Sequence, residues 1–333
     1  MMIRQRTLVL TVLAVLAVAI PAQGATHFVP GSFATIQGAV NASSSGDVVS
    51  VSAGTYYENV AMKKGVQLIG AGPASTVIDG SGLYTTVTIP VGATPSTRLE
   101  GFTIRNGNNL TGGGVRVQAG SSPTISNCWI EGNHAGVRGG GIYADNMGEP
   151  IIEFCRIIGN DADEGGGIFT QTSNPTIRWN VICGNHADIS GGGIHIAYAY
   201  AAVVENNTII NNSTGMTYGA GITSASSFVT FTNNIIAGNT GGYGYYNSGC
   251  EVGSDCNIWW GNPGGHFLSL VLGANEVFAD PEFCDTAGCD VTVSGSSPAV
   301  SNEHCGLIGA ETVGCGFTST ESESWGAIKR KFR

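Results

Sequence analysis

A repeating unit runs through the middle of the chain and limits the folds that it can adopt. Isoleucines recur at nearly equal intervals, and from the second one on an asparagine follows three positions later. The isoleucines are Ile104, Ile130, Ile157, Ile182, Ile209 and Ile236. We expect these side chains to lie above one another in a single interior file.

Two further apolar series keep step with the isoleucines. One lies about five positions earlier in each repeat, at Ile125, Ile152, Ile177, Val204 and Phe231. The other directly follows a run of glycines, at Val115, Ile142, Ile168, Ile194 and Ile222. Three short strand-like segments per repeat cannot bury an apolar face alone, whereas stacked repeats enclose a continuous interior. The pattern therefore predicts a β-solenoid.

The recurrent asparagines fit the same stack. Residues one repeat apart would lie about 4.8 Å from each other, so each side-chain amide can bond to the next in a ladder. The first predicted ladder contains Asn133, Asn160, Asn185, Asn212 and Asn239. A second column contains Cys128, Cys155, Asn180, Asn207 and Asn234. The adjacent glycines would permit a bend that Cβ atoms obstruct.

Composition supports a β-rich chain and restricts its partners. Charged residues make up only 11%, against about 25% in an ordinary domain, and there are 51 glycines. No Lys or Arg occurs between Arg178 and Lys329, a stretch that carries thirteen Asp and Glu side chains. This half of the chain should repel nucleic acid and other polyanions.

These repeats resemble the right-handed parallel β-helix of the pectin lyase-like superfamily. The "GGGI" and "I..N" elements are similar to the repeats of polymorphic outer-membrane proteins, and residues 33–80 resemble the opening of pectin methylesterases. The resemblance covers roughly residues 26–312 and implies an all-β fold, a right-handed parallel β-helix (solenoid) with a short N-terminal capping helix at about Phe33 to Ala42. The paired catalytic aspartates that pectin methylesterases carry in "QD" and "DF" contexts are missing.

The two ends of the chain carry different signals. Residues 1–24 read as a signal peptide, because Arg4 and Arg6 precede an apolar run from Leu8 to Ile20 that is too short to span a bilayer. The β-helix is expected over 25–312, a polar linker over 313–324 and a basic amphipathic tail over 325–333. We expect a secreted or cell-surface protein without a transmembrane segment.

Nine cysteines in an exported chain favour disulfides. Six form close pairs late in the sequence, and pairing between nearest neighbours is our preference among the 15 possible connectivities. The expected pairs are Cys250 with Cys256, Cys284 with Cys289, and Cys305 with Cys315. Cys128 and Cys155 are expected to stay reduced, and Cys183 to be inert or the odd thiol.

The residue after each glycine-flanking apolar position should face outward, because side chains alternate along a strand. This column contains Arg116, Tyr143, Phe169, His195 and Thr223, and the parallel column two positions later contains Gln118, Asp145, Gln171 and Ala197. Exposed aromatic rings beside polar groups suit a sugar chain. We therefore interpret Arg116, Gln118, Tyr143, Asp145, Phe169, Gln171 and His195 as candidate substrate-binding residues.

A second candidate site lies in the preceding segment. Asp163 and Asp188, with Asp161 or His186, could act as acid and base in glycoside chemistry. Alternatively, Asp161, Asp163 and Asp188 could bind calcium, or His134 and His186 beside Asp161 could bind a transition metal. Polar residues in solvated turns are the third interpretation. No other cofactor is expected.

The predicted function is binding of a polysaccharide or cell-surface glycan along one strand face. The first alternative is a polysaccharide hydrolase or lyase that uses the stacked carboxylates. The second is an adhesin or structural passenger without a small ligand. The scarcity of basic residues after Arg178 favours a neutral or mixed glycan over an extended polyuronate.

Overall fold

The chain forms a parallel β-helix in the computed structural model, which describes residues 24–285, 289–300, 302, 304–311 and 313–315. Three long parallel sheets make its walls, with ten, nine and nine strands among the described residues. Sheet 1 contains Thr26–Val29, Val48–Val51, Gln67–Gly70, Arg98–Glu100, Thr124–Ser126, Ile151–Glu153, Thr176–Arg178, Ala202–Glu205, Phe228–Thr232 and Glu251–Asp255.

The other two walls follow in each coil. Sheet 2 contains Gly54–Tyr57, Thr76–Asp79, Thr103–Arg105, Trp129–Glu131, Arg156–Ile158, Val181–Cys183, Thr208–Ile210, Ile235–Ala237 and Ile258–Trp260. Sheet 3 contains Val60–Ala61, Val87–Ile89, Val115–Val117, Ile142–Ala144, Ile168–Gln171, Ile194–Ala197, Gly219–Ala225, Tyr243–Ser248 and Phe267–Leu268. The solenoid therefore has about nine turns.

A shorter fourth sheet, which we call the outer sheet, lies between sheets 2 and 3 in five consecutive coils. Its strands are Asn108–Thr111, His134–Arg138, Asp161–Glu164, His186–Ser190 and Ser213–Thr214. From the sequence we expected a loop at this segment, whereas the structure shows strands. A bulge shifts the register in the middle of its strands.

The helix Ile36–Ala42 covers the N-terminal end, close to its predicted position. Thr35 caps it by accepting the amide N–H of Gly38, and Ile36, Ala39 and Val40 are buried as expected. The side chain of Glu58 accepts the amide N–H groups of Ile36 and Gln37 at 2.8 and 2.9 Å. The first turn of the helix is thereby tied to the coil beneath it.

The predicted interior file is confirmed. All six repeat isoleucines are fully buried, and each pairs in parallel register with the next. Both predicted asparagine ladders are also present. In the first ladder each Nδ2 donates to the next Oδ1 at 2.9 to 3.0 Å, and the series continues to Asn262.

The second ladder begins with two thiols, as its sequence column indicated. Cys128 and Cys155 are buried and reduced, and Cys155 donates its backbone N–H to Asn180 at 2.9 Å. Burial raises the pKa of the Cys155 thiol, which favours the unreactive protonated form. At the far end, the Glu276 carboxylate accepts the Asn257 side-chain N–H at 3.1 Å and the Trp259 indole N–H at 2.7 Å.

The glycine runs permit the close approach of neighbouring coils. A Cβ on Gly140 would lie 2.4 Å from the Asp161 carbonyl oxygen, and one on Gly141 would lie 2.5 Å from that of Gly167. Gly139 has a φ of 67° and would place a Cβ 2.8 Å from Cβ of Tyr143. Side chains at Gly140 or Gly141 would force the coils apart, and a side chain at Gly139 would clash with the next strand of its own coil.

A C-terminal segment lies over the outer side of sheet 2 and forms a second apolar cluster with it. Val291, Val293, Ala299 and Ile308 pack there against side chains of that sheet, such as Ile235. The short strands Val293–Ser294 and Val313–Cys315 pair within this segment.

Three disulfides hold the segment, but the expected pairing was wrong. The bonds join Cys183 with Cys289, Cys256 with Cys305, and Cys284 with Cys315. Cys250, which we expected to pair with Cys256, is free, and Cys183, which we expected to be inert or odd, is bonded. The segment folds back over distant coils, so proximity in sequence does not decide the pairs.

The disulfides fit an extracellular protein. Within the described part of the chain, no helix is long and apolar enough to cross a membrane. The predicted signal peptide, apart from Gly24, and the predicted tail lie outside the described residues, as does the linker from residue 316 on.

Candidate glycan site at the edge of the outer sheet

The outward column of sheet 3 is assembled as the sequence predicted. Arg116, Tyr143, Phe169, His195 and Thr223 are register partners on successive strands. Their predicted exposure is wrong, however, because Tyr143, Phe169 and His195 are only 6%, 1% and 6% exposed. A sugar chain cannot stack on these rings while they are covered.

The cover comes from the last residues of the three middle strands of the outer sheet. Arg138 places its guanidinium carbon 4.9 Å from the centre of the Phe169 ring and bonds to Glu164 at 2.8 Å and to Gln171 at 3.0 Å. Ser190 bonds to Nδ1 of His195 at 3.0 Å. We call Arg138, Glu164 and Ser190 the strand-end cover.

Burial under this cover changes the acid–base properties of the column. Desolvation lowers the pKa of His195 to about 4, although the nearby Glu164 carboxylate opposes the shift. Desolvation, followed by the charge of Asp145, raises the pKa of Tyr143. Both rings are therefore neutral near pH 7 and pack as a dry aromatic stack, with ring centres 5.8 Å apart for Tyr143 and Phe169 and 4.8 Å apart for Phe169 and His195.

The predicted catalytic and calcium-binding acids occupy the outer sheet. Asp161 contacts Nδ1 of His134 at 2.7 Å, and Asp188 contacts Nε2 of His186 at 3.2 Å. Each of these contacts pairs a carboxylate with an imidazole rather than with a second carboxylate. Asp163 is half-buried on the same strand as Asp161.

Calcium or transition-metal binding by this group stays a prediction. Across the residues that the structure describes, no three or more His, Cys, Asp or Glu side chains are grouped so as to hold a metal ion. His186 instead bonds through Nδ1 to Ser213 at 2.8 Å. Acid–base catalysis by Asp161, Asp163, Asp188 or His186 stays a prediction.

Two of the predicted binding residues, Arg116 and Gln118, line an open pocket of about 210 Å³. The pocket lies at the N-terminal edge of the outer sheet, beyond the coils that the strand-end cover protects. Tyr84, Asn59 and Asn109 supply an aromatic ring and two amides to its wall. Sequence reasoning missed these three residues, because they precede the first glycine run and belong to less regular coils.

Several contacts fix the polar walls of this pocket. Asn109 donates to the Thr85 hydroxyl at 2.9 Å, Asn59 donates to the Thr85 carbonyl at 3.1 Å, and Gln118 accepts the Val91 amide N–H at 3.2 Å. The guanidinium carbon of Arg116 lies 6.0 Å from the Tyr143 ring centre. Within the described structure, its buried Nε has no hydrogen-bond partner.

Comparison with known proteins agrees with this architecture. The sequence model for the family described as "Right handed beta helix region" matches residues 78–236. This match covers less than half of the chain, and it agrees with the predicted right-handed parallel β-helix fold, which is confirmed. No curated protein matches it in sequence.

Two solved structures show weak similarity. One is a pectin methylesterase in complex with a hexasaccharide, at 10% identity and a TM-score of 0.33, with coverage of 77% of this chain and 93% of that one. The other is the A-module of a mannuronan C-5 epimerase from Azotobacter vinelandii, at 16% identity and a TM-score of 0.24, with coverage of 73% and 93%.

Proposed function

We propose that the protein binds a polysaccharide or cell-surface glycan at the pocket that contains Tyr84, Arg116 and Gln118. The observation that carries this proposal is the convergence of an exposed ring, a guanidinium and three side-chain amides around one open cavity. Aromatic rings pack against the C–H faces of sugars, while amides and guanidinium groups bond to hydroxyls. These are the components of a carbohydrate subsite.

The dimensions and charge of the pocket narrow the ligand. Its volume of about 210 Å³ is below the usual range for drug-sized ligands, which fits one sugar unit at the end or side of a chain. Arg116 supplies one positive charge, enough for a single carboxylate, whereas an extended polyuronate needs cations at several subsites. We therefore infer a neutral or mixed glycan.

The buried aromatic column acquires a different role in this proposal. Tyr143 lies next to Arg116 in register and within cation–π distance of its guanidinium. The column therefore positions Arg116 and does not itself contact the sugar. Gln171 and Asp145 do not contact the sugar either. Gln171 accepts a hydrogen bond from Arg138, and Asp145 lies close enough to Tyr143 to raise its pKa.

A glycan array followed by calorimetry tests the proposal. Tyr84→Ala should weaken binding of the selected glycan about tenfold, which corresponds to about 1.4 kcal/mol, and Gln118→Ala should weaken it by a smaller factor. Leu83→Ala is the matched control, because Leu83 and Tyr84 are adjacent and both 66% exposed.

Two results would count against this function. Wild-type affinity in Tyr84→Ala would show that the glycan does not bind at this pocket. Failure of the wild-type protein to bind any glycan on the array would favour the adhesin or structural alternative.

A further inference from the structure

A second and larger pocket, of about 450 Å³, opens where the outer side of sheet 2 meets the C-terminal segment. Trp260 from the last strand of sheet 2 and Asp280 and Glu282 from the C-terminal segment line it, together with Asn211 and Gly238. None of these residues belongs to the site proposed above. The two pockets lie in different parts of the β-helix, on different sheets.

The floor of this pocket comes from one column of turn residues. The last six strands of sheet 2, from Trp129–Glu131 on, are each followed by a residue with positive φ, and this column contains Gly132, Gly159, Gly184, Asn211, Gly238 and Gly261. Asn211 is thus the one member of this set with a side chain. Its Oδ1 lies 2.6 Å from the place that a Cβ on Gly238 would occupy. The Asn211 amide therefore lies over Gly238, and the glycines of this column leave space for a ligand because they have no side chains.

The acidic wall is held in place by its own contacts. Asp280 accepts the backbone N–H of Glu282 at 2.8 Å, and the Glu282 carboxylate accepts the Ser296 hydroxyl at 2.5 Å. Glu282 itself has a φ of 54°, a conformation that is costly for a residue with a side chain. Two positions later, Cys284 is bonded to Cys315.

The aromatic wall contrasts with the residue beside it. Trp259 is fully buried and bonds to Glu276, whereas Trp260 is 44% exposed and lies in the pocket. Trp260 provides a flat apolar surface beside two carboxylates and an amide.

We propose that this pocket is a second carbohydrate site, selective for neutral or amino sugars. The Trp260 ring would pack on the C–H face of a sugar, and the oxygens of Asn211, Asp280 and Glu282 would accept hydrogen bonds from its hydroxyl or ammonium groups. The two carboxylates would repel a uronate, because the residues that line the pocket in the described part of the chain include no Lys or Arg. The site thus disfavours the negatively charged sugar units of which Arg116 can accept one in the other pocket.

The proposal is tested by calorimetry on the oxidised full chain with three hexasaccharides: a glucosamine hexamer, its fully N-acetylated neutral form, and an oligogalacturonate. At mildly acidic pH the amines of the glucosamine hexamer are protonated. We then expect this site to bind the glucosamine hexamer most tightly and the N-acetylated hexamer more weakly. We expect it not to bind the oligogalacturonate. Added salt should reduce the difference between the first two ligands, because it screens the carboxylates.

Three variants locate the binding. Trp260→Ala should weaken both the amino and the neutral hexamer at least tenfold, and Asp280→Asn with Glu282→Gln should weaken the amino hexamer more than the neutral one. Tyr57→Ala, which removes another exposed ring far along the chain, should change neither. Circular dichroism of each variant checks that the β-helix is intact.

The outcomes separate this site from the Arg116 pocket. Tyr84→Ala should leave the affinity of the Trp260 pocket for both hexamers unchanged. Each of the two proposed sites can therefore be disproved without the other. The proposal is overturned if the wild-type protein binds neither the amino nor the neutral hexamer, or if an intact Trp260→Ala variant keeps wild-type affinity for both. Preference of this site for the oligogalacturonate would also overturn it.

Discussion

The outer faces of sheets 2 and 3 both carry apolar side chains, but they are covered in different ways. On sheet 3 the cover is local, because Arg138, Glu164 and Ser190 lie in the same coil as the rings beside them or in the adjacent coil. On sheet 2 the cover is the C-terminal segment, which returns from a distant part of the sequence and is fixed by disulfides. In this β-helix, one outer face is thus covered by residues of the repeats themselves and the other by a segment that follows the repeats.

The difference also accounts for where the two pockets lie. The strand-end cover stops at the N-terminal edge of the outer sheet, where Arg116 and Gln118 line an opening. The C-terminal segment leaves an opening at Trp260. We infer that each of the two proposed ligand sites lies at the edge of a cover, and the following predictions test the two covers separately.

Phe169→Ala is expected to lower the free energy of unfolding more than any other variant considered. Phe169 is fully buried between Tyr143, His195 and Arg138, and truncation of a buried Phe costs about 3–5 kcal/mol because it leaves a cavity. Urea unfolding should show this loss, while Phe228→Ala, at a half-exposed ring, should cost less than about 1 kcal/mol. A loss below about 1 kcal/mol at Phe169 would mean that the local cover adds little stability.

The C-terminal cover should be weakened by Cys183→Ser combined with Cys289→Ser. This bond spans 106 residues, and its loss should cost about 2–4 kcal/mol. Hydrogen exchange should rise in residues 289–311 and stay unchanged around Phe169. Cys250→Ser is the control, because Cys250 is free. Equal exchange increases on both faces would show that the covers are coupled.

The local cover should also respond to pH through His195. Its pKa is about 4 when folded and about 6.5 in an unfolded chain, so the unfolded state binds protons more readily between these values. Stability should be fully present above pH 6.5 and fall by about 2 kcal/mol between pH 7 and pH 5. His195→Gln should flatten this part of the profile, and an unchanged slope would assign the pH dependence to other groups.

The smallest effect is expected from Gly238→Ala in the turn column. Gly238 and Gly159 have φ values of 66° and 62°, so alanine at either position should cost about 1 kcal/mol through left-handed strain. A Cβ on Gly159 would meet no atom within 4 Å, whereas one on Gly238 would approach Asn211. Calorimetry should therefore find weaker hexamer binding in Gly238→Ala alone. Equal hexamer affinity in the two variants would show that the turn column does not contact the ligand.

The interior of the fold could be predicted because it repeats. The position of Ile157 or Asn185 depends only on its neighbours one coil away, and those neighbours have the same residue types at the same spacing. The ladders and the fully buried file were therefore readable from the sequence. The same reasoning placed Tyr143 and Phe169 in adjacent register.

The covers could not be predicted in this way. The exposure of Phe169 depends on a bulge that sets Arg138 beside Glu164, and the periodicity of apolar residues gives no sign of that bulge. The disulfide of Cys183 depends on a segment that lies far away in the sequence. One signal was available, because outward positions of sheet 2 become apolar at Val181, Ile210 and Ile235, which indicates that something covers them.

Hydrogen–deuterium exchange with and without a bound oligosaccharide tests most directly whether ligands bind at the edges of the covers. For a glycan selected on the array, we predict protection in the segments that contain Tyr84 and Arg116. For the glucosamine hexamer, we predict protection around Trp260 and Glu282. Residues 161–171, under the strand-end cover, should exchange at the same rate in every case. Protection of those residues, with none at either edge, would contradict the account.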